Sequence, residues 1–212
     1  MPETSPLAPQ DMAAKLAARL CHDLIGPAGG LASGLDLLED PSARDMHADA
    51  MALVTSAGRQ LVATLKFARM AYGSGAQAVA ASEVKALVMG MFDGQRATLE
   101  WADPEADLPG LAARALLNLS QIALEALARG GRARVQTQPS GRGLELAVTA
   151  TGDQVRLHAE IITGLAGDPQ TEGLAGRWVQ ARFLHAIITD AGGALGAEVL
   201  PGAIRLWARI PS

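Results

Sequence analysis

Between Asp11 and Leu38 the leucines fall at Leu16, Leu20, Leu24, Leu31, Leu35 and Leu38. Steps of four, three and seven place them within about 100° of one another on a helix. Glu39-Asp40-Pro41-Ser42 then interrupts the pattern, because Pro41 cannot continue a helix and Ser42 can cap the next one. From about Ala43 to Ala71 a second stripe, Met51, Val54, Gly58, Leu61, Leu65, Ala68 and Tyr72, predicts a second helix. Two helices of roughly 28 residues joined by a tight break make an antiparallel hairpin about 40 Å long at 1.5 Å per residue. Such a hairpin cannot bury its faces alone, but two copies can pair as a four-helix bundle. Ile25, Leu53, Val62 and Phe67 lie off the main stripes. Either a second copy or the rest of the chain must cover them.

Beyond Gly73-Ser74-Gly75 the pattern changes to mixed α and β. The chain therefore divides into a helical hairpin at 1–74 and an α/β unit at 75–212, preceded by a Pro-rich leader over 1–10. The second unit is expected to hold a short strand near 78–80, a helix over 82–92, a strand over 97–101 and a long helix over about 109–128. A hairpin (133–138 and 144–150) follows, turning at Pro139-Ser140-Gly141-Arg142-Gly143. A last helix over 178–191 ends at Gly192-Gly193, and strands over 194–200 and 203–210 close the chain. The fold class is α+β: a helical hairpin, then an α/β sandwich with helices on one face of a mostly antiparallel sheet.

Aromatic residues make up only 3% of the 212 residues, against 49% hydrophobic overall. The core must therefore be built from Ala, Leu, Val and Ile, which suits closely packed helices. A net charge of -4 gives no electrostatic reason to expect nucleic acid or an anionic membrane as partner. No apolar run is long enough to span a bilayer and no secretory signal precedes the hairpin, so a cytoplasmic location is expected. The single cysteine, Cys21, excludes an internal disulfide. His22, His47, His158 and His185 show no zinc-ligand spacing, and no metal site is expected.

His22 lies roughly 180° from the middle of the first leucine stripe, on the outer face of the bundle with Lys15, Arg19, Gly26 and Ser33. Small residues there admit a partner closely, and basic ones favour an anionic ligand. Pro27, five residues further on, removes an intrahelical hydrogen bond and is expected to kink the helix at a cost of about 3 kcal/mol. A neutral imidazole is a good nitrogen nucleophile. Attack on an aspartyl phosphate would give a phosphohistidine, a transfer that depends mostly on positioning and charge neutralisation. Asp23 is the adjacent carboxylate that would orient the ring. Cys21 reads as a small, partly buried helix position, and His47 as a solvated start to the second helix.

His22-Asp23-x-x-x-Pro27 resembles the phosphoacceptor box of sensor histidine kinases. The layout of residues 76–212 is similar to the ATP-binding domain of those kinases. Ala115-Leu116-Leu117-Asn118-Leu119-Ser120-Gln121-Ile122-Ala123 stands where that family has its Asn-rich helix, and Val148-Thr149-Ala150-Thr151-Gly152 where it has its first glycine box. Gly176-Arg177-Trp178 through Ala191-Gly192-Gly193 resembles the last helix and the start of its strand pair. By the same resemblance the magnesium-binding Asn would fall at Ile122 and the adenine-binding Asp at Ala150, while the lid shrinks to scattered Gly164, Gly167 and Gly173. Those departures narrow the resemblance to the ChpT-type histidine phosphotransferases of alphaproteobacteria, dimers with a degenerate ATP domain. It implies a relay at His22 between the receiver domain of a hybrid histidine kinase and those of response regulators. It implies no cofactor bound by this chain, with Mg²⁺ supplied by the receiver. Gly26 replaces a polar residue that aligns water in many bifunctional kinases, which puts phosphatase activity in doubt. An ATP-dependent sensor kinase core and a non-catalytic dimeric scaffold remain the alternatives.

If the hairpin turns near Asp40–Pro41, Arg59 comes level with His22 and Lys66 with Lys15. Lys15, Arg19 and Arg59, with Gly26 and Pro27, are then the expected docking surface for the acidic pocket of a receiver domain.

Overall fold

The computed structural model describes residues 7–75, 77–102, 107–141, 143–170 and 174–211. Helix α1 runs unbroken from Pro9 to Glu39 and α2 from His47 to Tyr72. They are joined by a single 3-10 turn, Arg44–Met46, so the connection is longer than the sequence pattern suggests. Asp40 organises it by accepting from the amide and the hydroxyl of Ser42, which draws its carboxyl below the usual range.

The two helices do not meet through their leucines. Pro27 and Gly34 are the buried residues of α1, facing a half of α2 that buries Ala50 and Ala57. A Cβ on Gly34 would stand 2.6 Å from Val54 Cγ2 and 3.2 Å from the Ala50 carbonyl, and one on Gly30 3.3 Å from Ala57 Cβ. Small residues thus let the backbones approach closely and push the larger side chains to the flanks. Leu35, Met51 and Leu65 remain exposed. They lie on one flank, roughly 60–100° around each helix from the seam. Of the apolar residues off the stripes, Phe67 is buried by the second unit, whereas Ile25 (73% exposed), Leu53 and Val62 are not.

The second unit comprises α3 (Ala81–Phe92), β1 (Ala97–Trp101), α4 (Gly110–Ala126), β2 (Gly131–Ser140), β3 (Gly143–Thr151), α5 (Ala159–Ala166), α6 (Ala175–Asp190), β4 (Ala194–Leu200) and β5 (Ala203–Pro211). The five strands form one sheet in the order β1-β2-β3-β5-β4, parallel only between β1 and β2. The strand expected near 78–80 is reduced to a single bridge between Val79 and Leu108. Helix α5 has no counterpart in the sequence reading. Its apolar residues are spaced with glycines and read as a remnant lid, but Gly164 lets it lie against Trp178 and Ala181 of α6. It stops at Gly167, whose φ of +83° ends the helix in the left-handed region. Gly173 and the turn residue Arg142 lie outside the described residues.

Helix α4 is the centre of the molecule. It packs on β3 and β5 on one side and on α2, α3 and α6 on the others. Ala112, Ala113, Ala115, Leu116, Leu117, Leu119, Ile122 and Ala123 are all essentially inaccessible. An Ala-rich helix suits that place because neighbours on every side must come close. The open face of the sheet is held by charge: Glu145 accepts from Arg205 at 2.6 Å and Arg209 at 2.7 Å, and these arginines hold its carboxyl below the usual range. Among the described residues no helix is long and apolar enough to cross a membrane.

The seam can be tested by substitution. Gly34→Val forces atoms into Val54 and should cost about 1–3 kcal/mol. Gly29→Ala, where an added Cβ meets nothing within 4 Å, should stabilise by up to about 1 kcal/mol through helix propensity. Denaturant unfolding of both variants reads the contrast.

Candidate phosphotransfer site

Arg19, His22 and Asp23 share one turn of α1. Arg19 and Asp23 stand at i and i+4, so both reach the same edge of the helix, while His22 points away into solvent with its side chain 85% exposed. Its Nδ1 lies 3.4 Å from Asp23 Oδ1. That length suits an orienting contact rather than a strong bond. Pro27 adds a second local feature, for it supplies no N–H to the carbonyl four residues earlier, which belongs to Asp23. The helix nevertheless continues through Pro27.

The other oxygen of Asp23, Oδ2, accepts from Arg19 Nε at 3.2 Å. Arg19 then reaches out of the hairpin, Nη2 donating to Glu125 Oε1 of α4 at 2.8 Å and Nη1 to the Gly176 carbonyl at the start of α6 at 2.7 Å. A Cβ on Gly176 would stand 3.1 Å from Arg19 Cδ, so the missing side chain makes room for the arginine. Burial works against the guanidinium charge, but Glu125 and then Asp23 outweigh it and raise the Arg19 pKa. Arg177 approaches Glu125 from α6 at 3.4 Å. Tyr72, the last residue of α2, completes the cluster with a buried hydroxyl that lacks a hydrogen-bond partner.

These contacts correct part of the expected docking surface. Arg19 is not a free cation on the outer face; its side chain is 10% exposed and ties the hairpin to the second unit. Lys15 is half-buried, its Nζ 5.8 Å from the centre of the Trp178 ring. Pro27 is buried in the α1–α2 seam and cannot be a docking contact. Arg59 is exposed, but the longer connection shifts the register. With Gly34 opposite Ala50 and Val54, His22 comes level with about Thr64, and Arg59 with Pro27, about 7 Å nearer the turn. Arg59 lines a groove of about 1460 Å³ together with Asp23, Lys66, Leu87 and Met91. Gly26 is exposed, with open space where a Cβ would be. Cys21 is exposed rather than partly buried, and His47 is half-buried with Nε2 enclosed and unpartnered. Sequence reasoning missed Glu125 altogether and the bond from Arg19 to the Gly176 carbonyl, since nothing local marks partners more than a hundred positions apart.

At the positions where a nucleotide site would need polar ligands, Ile122 and Ala150 are buried among apolar neighbours. Trp178 is also buried, its indole donating to the Asp168 carbonyl. Asn118, by contrast, has been put to another use. Its amide donates to the carbonyls of Ala71 and Arg114 and its oxygen accepts from Gln180, binding α4 to the end of α2 and to α6. These residues do not fit Mg-ATP. Among the described residues no group of His, Cys, Asp or Glu could hold a metal ion.

An exposed His-Asp pair thus stands on a long helical hairpin docked on an α/β sandwich. A family model described as the histidine phosphotransferase C-terminal domain matches residues 81–201, and the chain belongs to that family. It is 29% identical over 185 residues to the protein phosphotransferase ChpT of Brucella abortus (strain 2308), covering 86% of this chain and 87% of that protein. A solved bacterial phosphotransferase superimposes with a TM-score of 0.84 at 27% identity, covering 96% of this chain and 98% of the other. ShkA, solved at full length with AMPPNP, shares the fold alone, with a TM-score of 0.51 at 18% identity over 97% of this chain and 46% of its own. The chain is thus a histidine phosphotransferase of a phosphorelay, and neither the kinase nor the scaffold alternative is favoured.

Tyr72 is the only tyrosine, so its titration reports on this cluster directly. Burial first, then the charges of Asp23 and Glu125 against the opposing Arg19, push its pKa up from 10.0 to about 12. The unfolded chain therefore releases this proton before the folded one. The stability contribution is complete below pH 10 and lost as pH climbs toward 12. Ultraviolet titration should give a tyrosinate midpoint near 12 for the native protein and near 10 in denaturant, and Tyr72→Phe should remove that alkaline loss of stability.

Proposed function

We propose that the phosphoryl group is carried on Nε2 of His22. The observation that carries this reading is an imidazole 85% exposed on the hairpin, with Asp23 beside Nδ1. If Nδ1 holds the proton toward Asp23, the Nε2 lone pair faces solvent and can meet phosphorus. The N–P bond forms as the P–O bond to the partner's aspartate breaks, and that carboxylate leaves with the electron pair. The reverse transfer passes the group to a second aspartate. Receiver domains of a hybrid kinase and of response regulators are the partners this chemistry needs, and they bring the aspartate and the Mg²⁺. The open surface at Gly26 supports close approach beside His22. Ile122 and Ala150 support a chain that binds no nucleotide of its own.

The test is incubation with a phosphorylated receiver domain. The wild-type chain should gain acid-labile phosphate on His22. His22→Ala should gain none while its stability changes by about 0.5 kcal/mol or less, since the side chain is exposed. Label on the variant would refute the assignment.

We also propose a homodimer through the hairpins. Leu35, Met51 and Leu65 form an exposed apolar flank, and burying each such side chain would stabilise by roughly 1.5–3 kcal/mol. Light scattering should report two chains per particle at micromolar concentration, and a Leu65→Glu variant should shift it to one.

A further inference from the structure

Asp23 divides its two oxygens between different partners. Oδ1 faces His22 Nδ1 at 3.4 Å, and Oδ2 is held by Arg19 Nε at 3.2 Å. Arg19 in turn is held in place, because Nη2 donates to Glu125 Oε1 at 2.8 Å and Nη1 to the Gly176 carbonyl at 2.7 Å. Glu125, Arg19, Asp23 and His22 therefore make one connected chain from α4 to the exposed imidazole. We propose that Glu125 is a positioning residue for phosphoryl transfer: through Arg19 it holds Asp23 so that His22 keeps its proton on Nδ1 and presents Nε2 to the partner. This rests on His22 as the phosphoacceptor.

The physical need for Glu125 comes from the charge of Arg19. An arginine paired with Asp23 alone would draw both carboxylate oxygens toward itself, since a guanidinium fork matches a carboxylate in two-point contact. The imidazole would then lose its acceptor and its preferred tautomer. Glu125 occupies Nη2 and compensates the guanidinium charge, which leaves Asp23 bound through Nε and frees Oδ1 for the ring. During transfer the ring becomes cationic as the N–P bond forms with the proton still on Nδ1. Asp23 then faces the new charge across a short, partly screened distance. Gly176 contributes by absence, because a side chain there would displace the arginine from this arrangement.

The experiment uses the full chain labelled with ¹⁵N-histidine, whose ring shifts distinguish the two tautomers, together with phosphoryl uptake from a phosphorylated receiver domain. Wild-type His22 should favour the Nδ1–H form. Glu125→Gln keeps the shape and removes the charge; it should move His22 toward the Nε2–H form and slow uptake about tenfold, the size expected when an orienting partner is lost. Asp23→Asn should do the same, and adding Glu125→Gln to it should cause no further loss, because both act along one path. Arg177→Gln removes the other cation on Glu125 without touching the chain to Asp23, and should leave the tautomer unchanged. Gly176→Ala crowds Arg19 without altering a charge, and should shift the tautomer as Glu125→Gln does; it decides the matter should Glu125→Gln not fold. An unchanged tautomer in Glu125→Gln, or losses that multiply in the double variant, would overturn the proposal. Wild-type protein that takes no phosphate on His22 would instead overturn the reading of the site, while the tautomer measurement, which needs no partner, still judges Glu125.

Discussion

The guanidinium of Arg19 binds both halves of this molecule. Arg19 leaves α1 one turn before His22, crosses to α4 and α6, and ends on Glu125 and the Gly176 carbonyl. Its contacts are partly buried, so removing any one of them would leave a charge without its partner in a poorly solvated place. The same guanidinium holds Asp23. Attachment of the hairpin to the sandwich and the hold on the carboxylate beside His22 thus run through one side chain. A second tie runs from Asn118 of α4 to the Ala71 carbonyl in the last turn of α2, beside Tyr72.

The second constraint is the division of labour between small and large residues. Glycine and alanine make the seam inside the hairpin, and alanine fills α4 where neighbours press from every side. Close backbone approach gives many dispersion contacts at little side-chain entropy cost. The consequence is that larger apolar residues of the hairpin are displaced to its surface, Ile25, Leu35, Met51 and Val62 among them.

The sandwich shares its fold with ShkA and fills its interior with apolar packing. Buried Ile122 and Ala150 replace polar positions with core, and Trp178 is buried over the start of α6 with Lys15 above its ring. Of its polar groups, Asn118 and Glu125 bond to the hairpin, Arg177 stands beside Glu125, and Gln180 bonds to Asn118 and Gln121.

Much of this was legible in the residues alone. Helical and strand periodicities placed the two long helices and most elements of the sheet, because each depends on spacing within a few residues. The exposure of His22 followed in the same way, since the angle between a residue and its own leucine stripe is a local property. What the sequence could not decide is everything set by contact across the chain. Helix α5 escaped because its glycines serve packing on α6 rather than flexibility. Arg59 fell out of level with His22 because the turn absorbs extra residues. Lys15 and Arg19 look like a free basic face on a helical wheel, yet Trp178, Glu125 and Gly176 claim them from more than a hundred residues away. Periodicity tells which way a side chain points from its own helix; only the tertiary structure decides what waits there.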